Sequence, residues 1–111
     1  MRRVPRKLLP HSAQITRCLG NAARGPVWAQ TPEPAVDAAV WPTGGLRAVS
    51  LDGSEYTPTA RLFTDEDPGL RSLITSDRIT DRLWVVSIRP WDGGGVSYVE
   101  AYLAPAPAPH A

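Results

Sequence analysis

The sequence contains one cysteine and two histidines among its 111 residues, and these shortages exclude several kinds of site. Cys18 alone cannot form a disulfide within the chain or build a thiolate metal site. No charged helix terminus is evident beside it, which favours a small buried side chain over a nucleophile. Neither His11 nor His110 has a carboxylate or cysteine at ligand spacing. Because no nucleophile is paired with a base, the sequence predicts neither an enzyme nor a cofactor.

Long apolar runs are also missing. No stretch approaches the roughly 20 apolar residues that a membrane-spanning helix requires, so we expect no membrane partner. The first 24 residues are rich in arginine and contain no acid, a composition that also describes a mitochondrial transit peptide. Pro5 and Pro10 interrupt the amphipathic helix that such a peptide needs, which disfavours targeting.

Proline and glycine, in contrast, are abundant, with 12 and 9 copies. Long helices are therefore disfavoured. A chain of this length supports one core, so the sequence predicts a single domain with tails. We divide it into a basic N-terminal arm (residues 1–10), a β domain (residues 11–104) and a tail rich in proline and alanine (residues 105–111).

The net charge of +1 conceals an asymmetry. Six of the twelve basic residues precede the first acid, Glu33, which leaves six basic against eleven acidic residues in the remainder, a balance of −5. A basic arm on an acidic body favours contact with an acidic partner, either nucleic acid or the acidic face of another protein. A solvated basic tail is the alternative interpretation.

Alternating apolar and polar residues predict the strands of the β domain. The pattern is seen in "HSAQITRCL" (residues 11–19) and in "VSYVEAYLA" (residues 96–104). The segment "RLWVVSIRPW" (residues 82–91) is typical of a buried strand, which Pro90 is expected to end. Six or seven such short strands separated by turns predict an all-β fold, a small antiparallel β-barrel or sandwich. For the aromatic residues, core filling is favoured over a base-stacking surface. The residues expected in the core are Ile15, Trp84, Val86, Ile88, Tyr98 and Leu103.

A polar hairpin is predicted within "WPTGGLRAVSLDGSEYTPTARLF" (residues 41–63). Asp52-Gly53 is a strong two-residue hairpin signal, because glycine accepts a positive φ without steric cost. Pro58 cannot donate to a ladder, so the return arm, residues 54–64, is expected to be an edge strand or to bulge there. The hairpin of residues 43–57 contains no catalytic pair and is expected to protrude.

Several segments in this order resemble a known family. They are "RKLLPHSAQITR", "GPVWA", "AVWPTGGLRAVSLDGSEYTPTARLF", "SDRIT" and "PWDGGGVSYVEAYLA", and they are spread over residues 6–104. The order is similar to that of the head-tail connector proteins of long-tailed bacteriophages, of the head closure or stopper type, particularly in phages that infect actinobacteria. Family members often carry a basic pair and a longer hairpin arm, whereas here only Arg47 stands at that place.

The resemblance implies a structural virion protein without catalysis or cofactor. Its copies would form a ring, of twelve subunits or alternatively of six, in the neck between the portal or adaptor protein and the tail terminator or another tail protein. Assembly would take place in the cytoplasm of the bacterial host. A hairpin of each subunit would face the channel and help to retain the packaged double-stranded DNA.

The resemblance also assigns residues to these roles. The channel hairpin would be formed by Thr43, Gly44, Leu46, Arg47, Ser50, Asp52, Gly53, Glu55 and Tyr56. Independently of the resemblance, an extended arm can add to a neighbouring molecule. Contacts with a neighbouring subunit or the adaptor are therefore expected from the N-terminal arm, through Arg2, Arg3, Arg6, Lys7, Leu8 and Leu9.

Residues 43–57 carry Asp52 and Glu55 against Arg47, a charge of −1 per copy. Repeated around a ring, that sign repels phosphate, which favours a lumen lining over a DNA-binding site. Two other functions stay open. One is an adaptor or tail terminator at a neighbouring ring level, and the other is a small nucleic-acid-binding β-barrel that uses the arm's basic residues on phosphates.

Overall fold

The computed structural model describes residues 8–22, 25–43, 48–51, 53–93 and 96–107, and no α-helix occurs among them. These residues form ten strands, so the predicted all-β class is confirmed. The strands are β1 (His11–Thr16), β2 (Cys18–Ala22), β3 (Gly25–Trp28), β4 (Val36–Pro42), β5 (Val49–Leu51), β6 (Ser54–Tyr56), β7 (Ala60–Thr64), β8 (Leu73–Ser76), β9 (Ile79–Gly93) and β10 (Val96–Pro105).

Six of the strands close into an antiparallel barrel in the order β1-β4-β7-β10-β9-β8. Of the two predicted architectures, the structure is therefore the barrel. β1, β4 and β7 are consecutive barrel strands, and β8 returns beside β1 to complete a Greek key. The strands β8, β9 and β10 form a second Greek key with β7. Closure removes the free edges that an open sheet of this size would expose.

The strand β1 closes the barrel by dividing its ladder between two partners. His11, Ser12 and Ala13 pair with β4, while the second half of the strand pairs with β8, where Ile15 lies opposite Ile74. The expected interruption of this first strand falls at Arg17, which separates β1 from β2.

The barrel interior is filled by one face of each strand. Along β7 the side chains of Leu62 and Thr64 are fully buried, while Arg61 and Phe63 between them are partly exposed, as period-2 alternation requires. Of the residues expected in the core, Ile15 and Leu103 are buried here and Ile88 packs against them. The buried members of this cluster are Ala13, Ile15, Ala38, Val40, Ala60, Leu62, Ile74, Leu83, Val85, Ala101 and Leu103.

The strand β9 does not end at Pro90, as the sequence analysis expected, but continues to Gly93. Pro90 pairs with Val99 of β10, and the described pairing of β9 with β8 stops at Trp84. Since β9 has a ladder partner on one side only at this point, a residue without an N–H is tolerated there.

Two short hairpins lie outside the barrel ladder. β2 pairs with β3, and β5 pairs with β6 around Gly53, whose φ of 79° is the positive value that the predicted Asp-Gly turn requires. The return arm, expected as one strand from residue 54 to 64, divides at residues 57–59 into β6 and β7. The buried Pro58 lies at that break, so the chain leaves the small hairpin there and enters the barrel.

Candidate functional site: an exposed aromatic face

The predicted channel hairpin packs along one face against the barrel wall. Val49, Leu51 and Tyr56 point inward, and Leu51 is buried. On the opposite face Ser50 pairs with Glu55, and both are exposed. The described part of the hairpin thus lies against the barrel instead of projecting freely. Thr43 and Gly53 are also described, whereas Gly44, Leu46, Arg47 and Asp52 lie outside the described residues.

Trp84 of β9 is the centre of the cluster that holds this hairpin. Its indole, in a residue only 4% exposed, meets the ring of Tyr56 edge to face at 5.5 Å and that of Trp28 at 6.3 Å. Leu51, Val86 and Ala104 complete the buried part of the cluster. Trp84 and Val86, both expected in the core, are therefore buried outside the barrel, where they fasten the β5–β6 hairpin to its wall.

The second small hairpin and the start of the tail join the same cluster. The Trp28 indole N–H donates to the carbonyl of Arg71 at 2.7 Å, and the guanidinium of Arg82 lies 4.7 Å from the Trp28 ring centre. Arg82 also donates to the carbonyl of Pro107, while its own carbonyl accepts from the N–H of Ala106. The tail therefore leaves the barrel from a fixed position.

Of the residues assigned to the N-terminal arm, the structure describes Leu8 and Leu9. Leu9 is buried, but Leu8 is 59% exposed. The four basic residues Arg2, Arg3, Arg6 and Lys7 lie outside the described residues. Leu9 therefore anchors the beginning of the barrel, and Leu8 presents an apolar side chain to solvent beside it.

The largest concentration of exposed aromatic rings lies on the outer face of β4, β7, β10 and β9. Tyr98 stacks on Trp91 at 6.2 Å with an interplanar angle of 13°, and its centroid lies 6.1 Å from that of Phe63. Trp41 and Trp91 are 43% and 39% exposed. Tyr98, expected in the core, instead lies half-buried on this face, because β10 turns its even-numbered residues outward. We call this surface the aromatic face.

Two arginines and one carboxylate accompany the rings. Arg89 lies over Trp91 at 4.6 Å and Arg61 over Phe63 at 5.7 Å. Glu100, only 5% exposed, accepts from the Arg61 guanidinium at 3.5 Å and from the Trp91 indole N–H at 3.4 Å. A buried carboxylate requires such partners, so this network holds the rings in place.

A groove opens at one end of the aromatic face, with a volume of about 260 Å³. We call it the Trp41 groove; its lining consists of Leu8, Leu9, Ala39, Trp41, Phe63 and Tyr98. His11 supports one wall, because its Nδ1 accepts the N–H of Val40 at 3.0 Å and its ring meets Trp41 edge to face at 5.0 Å. The arrangement suits an apolar or planar ligand.

Outside the aromatic face, the hydroxyl of Ser76 and the thiol of Cys18 both lie against backbone carbonyls. A groove of about 360 Å³ contains Ser76, whose hydroxyl donates to the carbonyl of Ser12 and stands beside Asp77, and no histidine is among the residues that line it. The Cys18 thiol lies near the carbonyl of Gly20. Among the described residues no three His, Cys, Asp or Glu side chains are placed to share a metal ion.

Sequence reasoning missed the aromatic face because it assigned the aromatic residues mainly to the core. The signal that could have found it is the alternation "ARLFT" in β7, where Arg61 and Phe63 share the face opposite Leu62. Pairing then brings Trp41 beside Arg61 and Glu100 beside Phe63. Those neighbours are distant in the sequence, so the composition of the face depends on the barrel order.

Comparison of the chain with protein-family models, with curated proteins and with solved structures found no match. The described residues include no helix of the length and apolar character that crossing a bilayer requires.

Proposed function

We propose that this protein is a structural component of a bacteriophage neck, a head closure or stopper protein that forms a ring between the portal or adaptor protein and the tail. The observation that carries the proposal is the aromatic face. Trp41, Trp91 and Leu8 expose large apolar surface around one groove, and such a patch on a small domain marks a surface that meets another protein. The order of the sequence motifs supports the family, and the small closed barrel is compatible with it.

Ring assembly suits a subunit of this size. A ring uses one heterologous interface repeatedly, so a modest patch on each subunit acts many times. Large aromatic side chains and arginine are the residues that contribute most to protein interfaces, and both occur on the aromatic face. In this proposal the ring retains the packaged DNA and provides the surface to which the tail attaches.

The hairpin of residues 43–57 supplies the channel lining in this proposal. Its packing on Trp84 leaves Ser50 and Glu55 on the outward face, and Asp52 adds a second carboxylate in the sequence of the turn. A hairpin fastened to the wall lines a channel without obstructing it. Its negative charge keeps the DNA phosphates from adhering as the DNA moves.

Neutralising the hairpin tests this assignment. In the double variant Asp52→Asn, Glu55→Gln, we expect assembled connectors to retain DNA at low salt and to release it more slowly than the wild type. The measurement is DNA release from assembled connectors over a series of salt concentrations. Glu66→Gln removes an exposed charge from the β7–β8 loop and is the matched control. Release identical to that of the wild type at every salt concentration would contradict the lumen assignment.

A nucleic-acid-binding β-barrel is the second candidate. The observation that favours it is the pairing of Arg61 and Arg89 with exposed rings, since single-stranded nucleic acids bind by base stacking beside basic groups. The apolar lining of the Trp41 groove and the buried carboxylate of Glu100 fit this function less well. An adaptor or tail terminator ring is a third candidate and would use the same outer surface.

Native mass spectrometry of the purified chain, with and without a portal-adaptor complex, separates the first two candidates. The proposal predicts a closed ring of twelve or six copies, formed alone or on the docking surface. A monomer under both conditions, with a DNA affinity that falls steeply with salt, would favour the nucleic-acid-binding barrel instead. Imaging of connectors from intact particles then distinguishes stopper, adaptor and terminator levels by the position of the ring.

A further inference from the structure

We propose that the Trp41 groove binds the end of the tail of a second copy of this chain, residues 107–111, "PAPHA". The inference deepens the proposed function and rests on the self-association that it requires. It assigns the contact between neighbouring subunits to two defined parts of the molecule, a groove on one copy and a proline-rich segment on the next.

The tail sequence is suited to an aromatic groove. Alternating proline and alanine favours the polyproline II conformation, which is extended and has no internal hydrogen bonds. Such segments bind in grooves lined by aromatic rings and lose little conformational entropy, because proline restricts the backbone beforehand. Pro107 and Pro109 stand two positions apart, beyond Pro105, which ends β10 opposite Leu83.

The groove offers what such a segment needs. All six of its lining residues are apolar or aromatic. An apolar cavity of about 150 Å³ admits a benzene molecule, so the 260 Å³ of this groove accommodates a proline ring with a neighbouring alanine methyl. The Trp41 indole N–H and the Tyr98 hydroxyl have no hydrogen-bond partner within the described part of the chain, and both can donate to the carbonyls of a bound segment.

The position of the tail requires that the groove belong to another copy. Trp41 of β4 pairs with Arg61 of β7, and Arg61 pairs with Tyr102 of β10. Trp41 and Tyr102 are therefore side by side across the sheet, two strand spacings apart. Pro107 is five residues past Tyr102, about 17 Å along the strand, and two strand spacings add about 10 Å across the sheet. A polyproline II segment advances only about 6 Å over two residues, which is less than this separation. The hydrogen bonds of Arg82 hold the start of the tail in place, so its prolines do not reach their own groove.

A contact between different surfaces of identical subunits is heterologous, and it generates a ring where the rotation closes. Each copy donates one tail and accepts one. The aromatic face, which is exposed in the single subunit, then becomes buried around the complete ring. No part of this contact uses the hairpin assigned to the channel.

The experiment measures binding of a fluorescently labelled peptide of residues 104–111 to the full chain by anisotropy. We expect saturable binding to the wild type and at least tenfold weaker binding to Leu8→Asp, which places a charge in the groove at an exposed position. The matched control is Leu70→Asp, the same change at an exposed leucine outside the groove, and it should bind like the wild type. A peptide with glycine at the three proline positions should bind at least tenfold more weakly.

Mixing two assembly-deficient variants tests the same contact in the full chain. Leu8→Asp retains its tail, and the double variant Pro107→Gly, Pro109→Gly retains its groove. Each alone should be monomeric by light scattering, and the mixture should form one-to-one dimers only, since a single intact contact remains. Circular dichroism melting shows whether the variants are folded, and Trp41→Ala provides a second groove variant if Leu8→Asp is not.

Several results would overturn the inference. The inference fails if the peptide binds the wild type and Leu8→Asp equally, or does not bind the wild type at all. It also fails if the peptide binds only after residues 1–7 are deleted, or if the groove binds labelled oligothymidylate and not the peptide. Rings that persist in the Pro107→Gly, Pro109→Gly variant would contradict this contact without contradicting the proposed function. Peptide binding by a chain that never forms rings would support this contact and contradict the proposed function.

Discussion

Replacing Trp84 by alanine is expected to lower the free energy of unfolding by about 3–5 kcal/mol, the range for removing a large aromatic side chain from a packed site. The ring contacts both Trp28 and Tyr56, so its loss detaches the β2–β3 hairpin and the β5–β6 hairpin from the barrel wall together. The cavity cannot be refilled easily, because its other walls are β9 and β10 of the barrel itself. Hydrogen exchange should show reduced protection of both hairpins.

Two controls make this prediction specific. The Trp84 indole N–H is buried without a hydrogen-bond partner among the described residues, so Trp84→Phe removes an unsatisfied donor while retaining most of the ring. We expect it to cost less than about 1.5 kcal/mol. Trp91→Ala removes an equally large but exposed side chain and should also cost less than Trp84→Ala. Urea denaturation measures all three, and equal losses for Trp84→Ala and Trp91→Ala would contradict the central role of Trp84.

Replacing Arg61 by methionine is expected to destabilise the protein by about 3 kcal/mol, near the lower end of the range for breaking a buried ion pair from one side. The variant leaves the Glu100 carboxylate buried, with the Trp91 indole N–H at 3.4 Å as its remaining hydrogen-bond donor among the described residues. We place the loss at the lower end because the Arg61 side chain is 40% exposed and its contact with Glu100 is long, at 3.5 Å. The free energy of unfolding, measured by urea denaturation, provides the value.

A double-mutant cycle separates charge from packing. Glu100→Gln keeps an acceptor for both partners and should cost no more than about 1.5 kcal/mol. In the double variant the uncompensated charge is absent, so we expect it to be more stable than Arg61→Met, with a coupling energy of about 1–3 kcal/mol. Strictly additive losses would show that Arg61 stabilises the protein through its contact with the Phe63 ring and not through Glu100.

Local patterns predicted the strands well because period-2 alternation is set by the pleat itself. "HSAQITRCL" divides at Arg17 into β1 and β2, and "VSYVEAYLA" falls within β10. The expectation that Pro90 ends its strand failed because the effect of a proline depends on whether both sides of a strand are paired. That property belongs to the barrel order and cannot be read from neighbouring residues.

The candidate site was less accessible to sequence reasoning. The hairpin turn at Gly53 follows from local chemistry, but its packing on Trp84 joins segments that lie about 30 residues apart. The Trp41 groove likewise combines Leu8, Trp41, Phe63 and Tyr98 from four separate segments. The pattern predicts which side of a strand a residue occupies, whereas the strand order decides which residues meet across it.

The divided ladder of β1 bears on how the chain folds. Gln14, Ile15 and Thr16 pair with β8 about 60 residues later, so this pairing closes a long loop of the chain. Contacts of such sequence separation slow folding, and domains dominated by them typically fold in milliseconds to seconds. Before this pairing forms, β1 and β8 expose backbone N–H and C=O groups that can pair with another unfolded chain. Because partly folded chains of this kind associate with one another, closure of β1 is a step at which aggregation competes with folding.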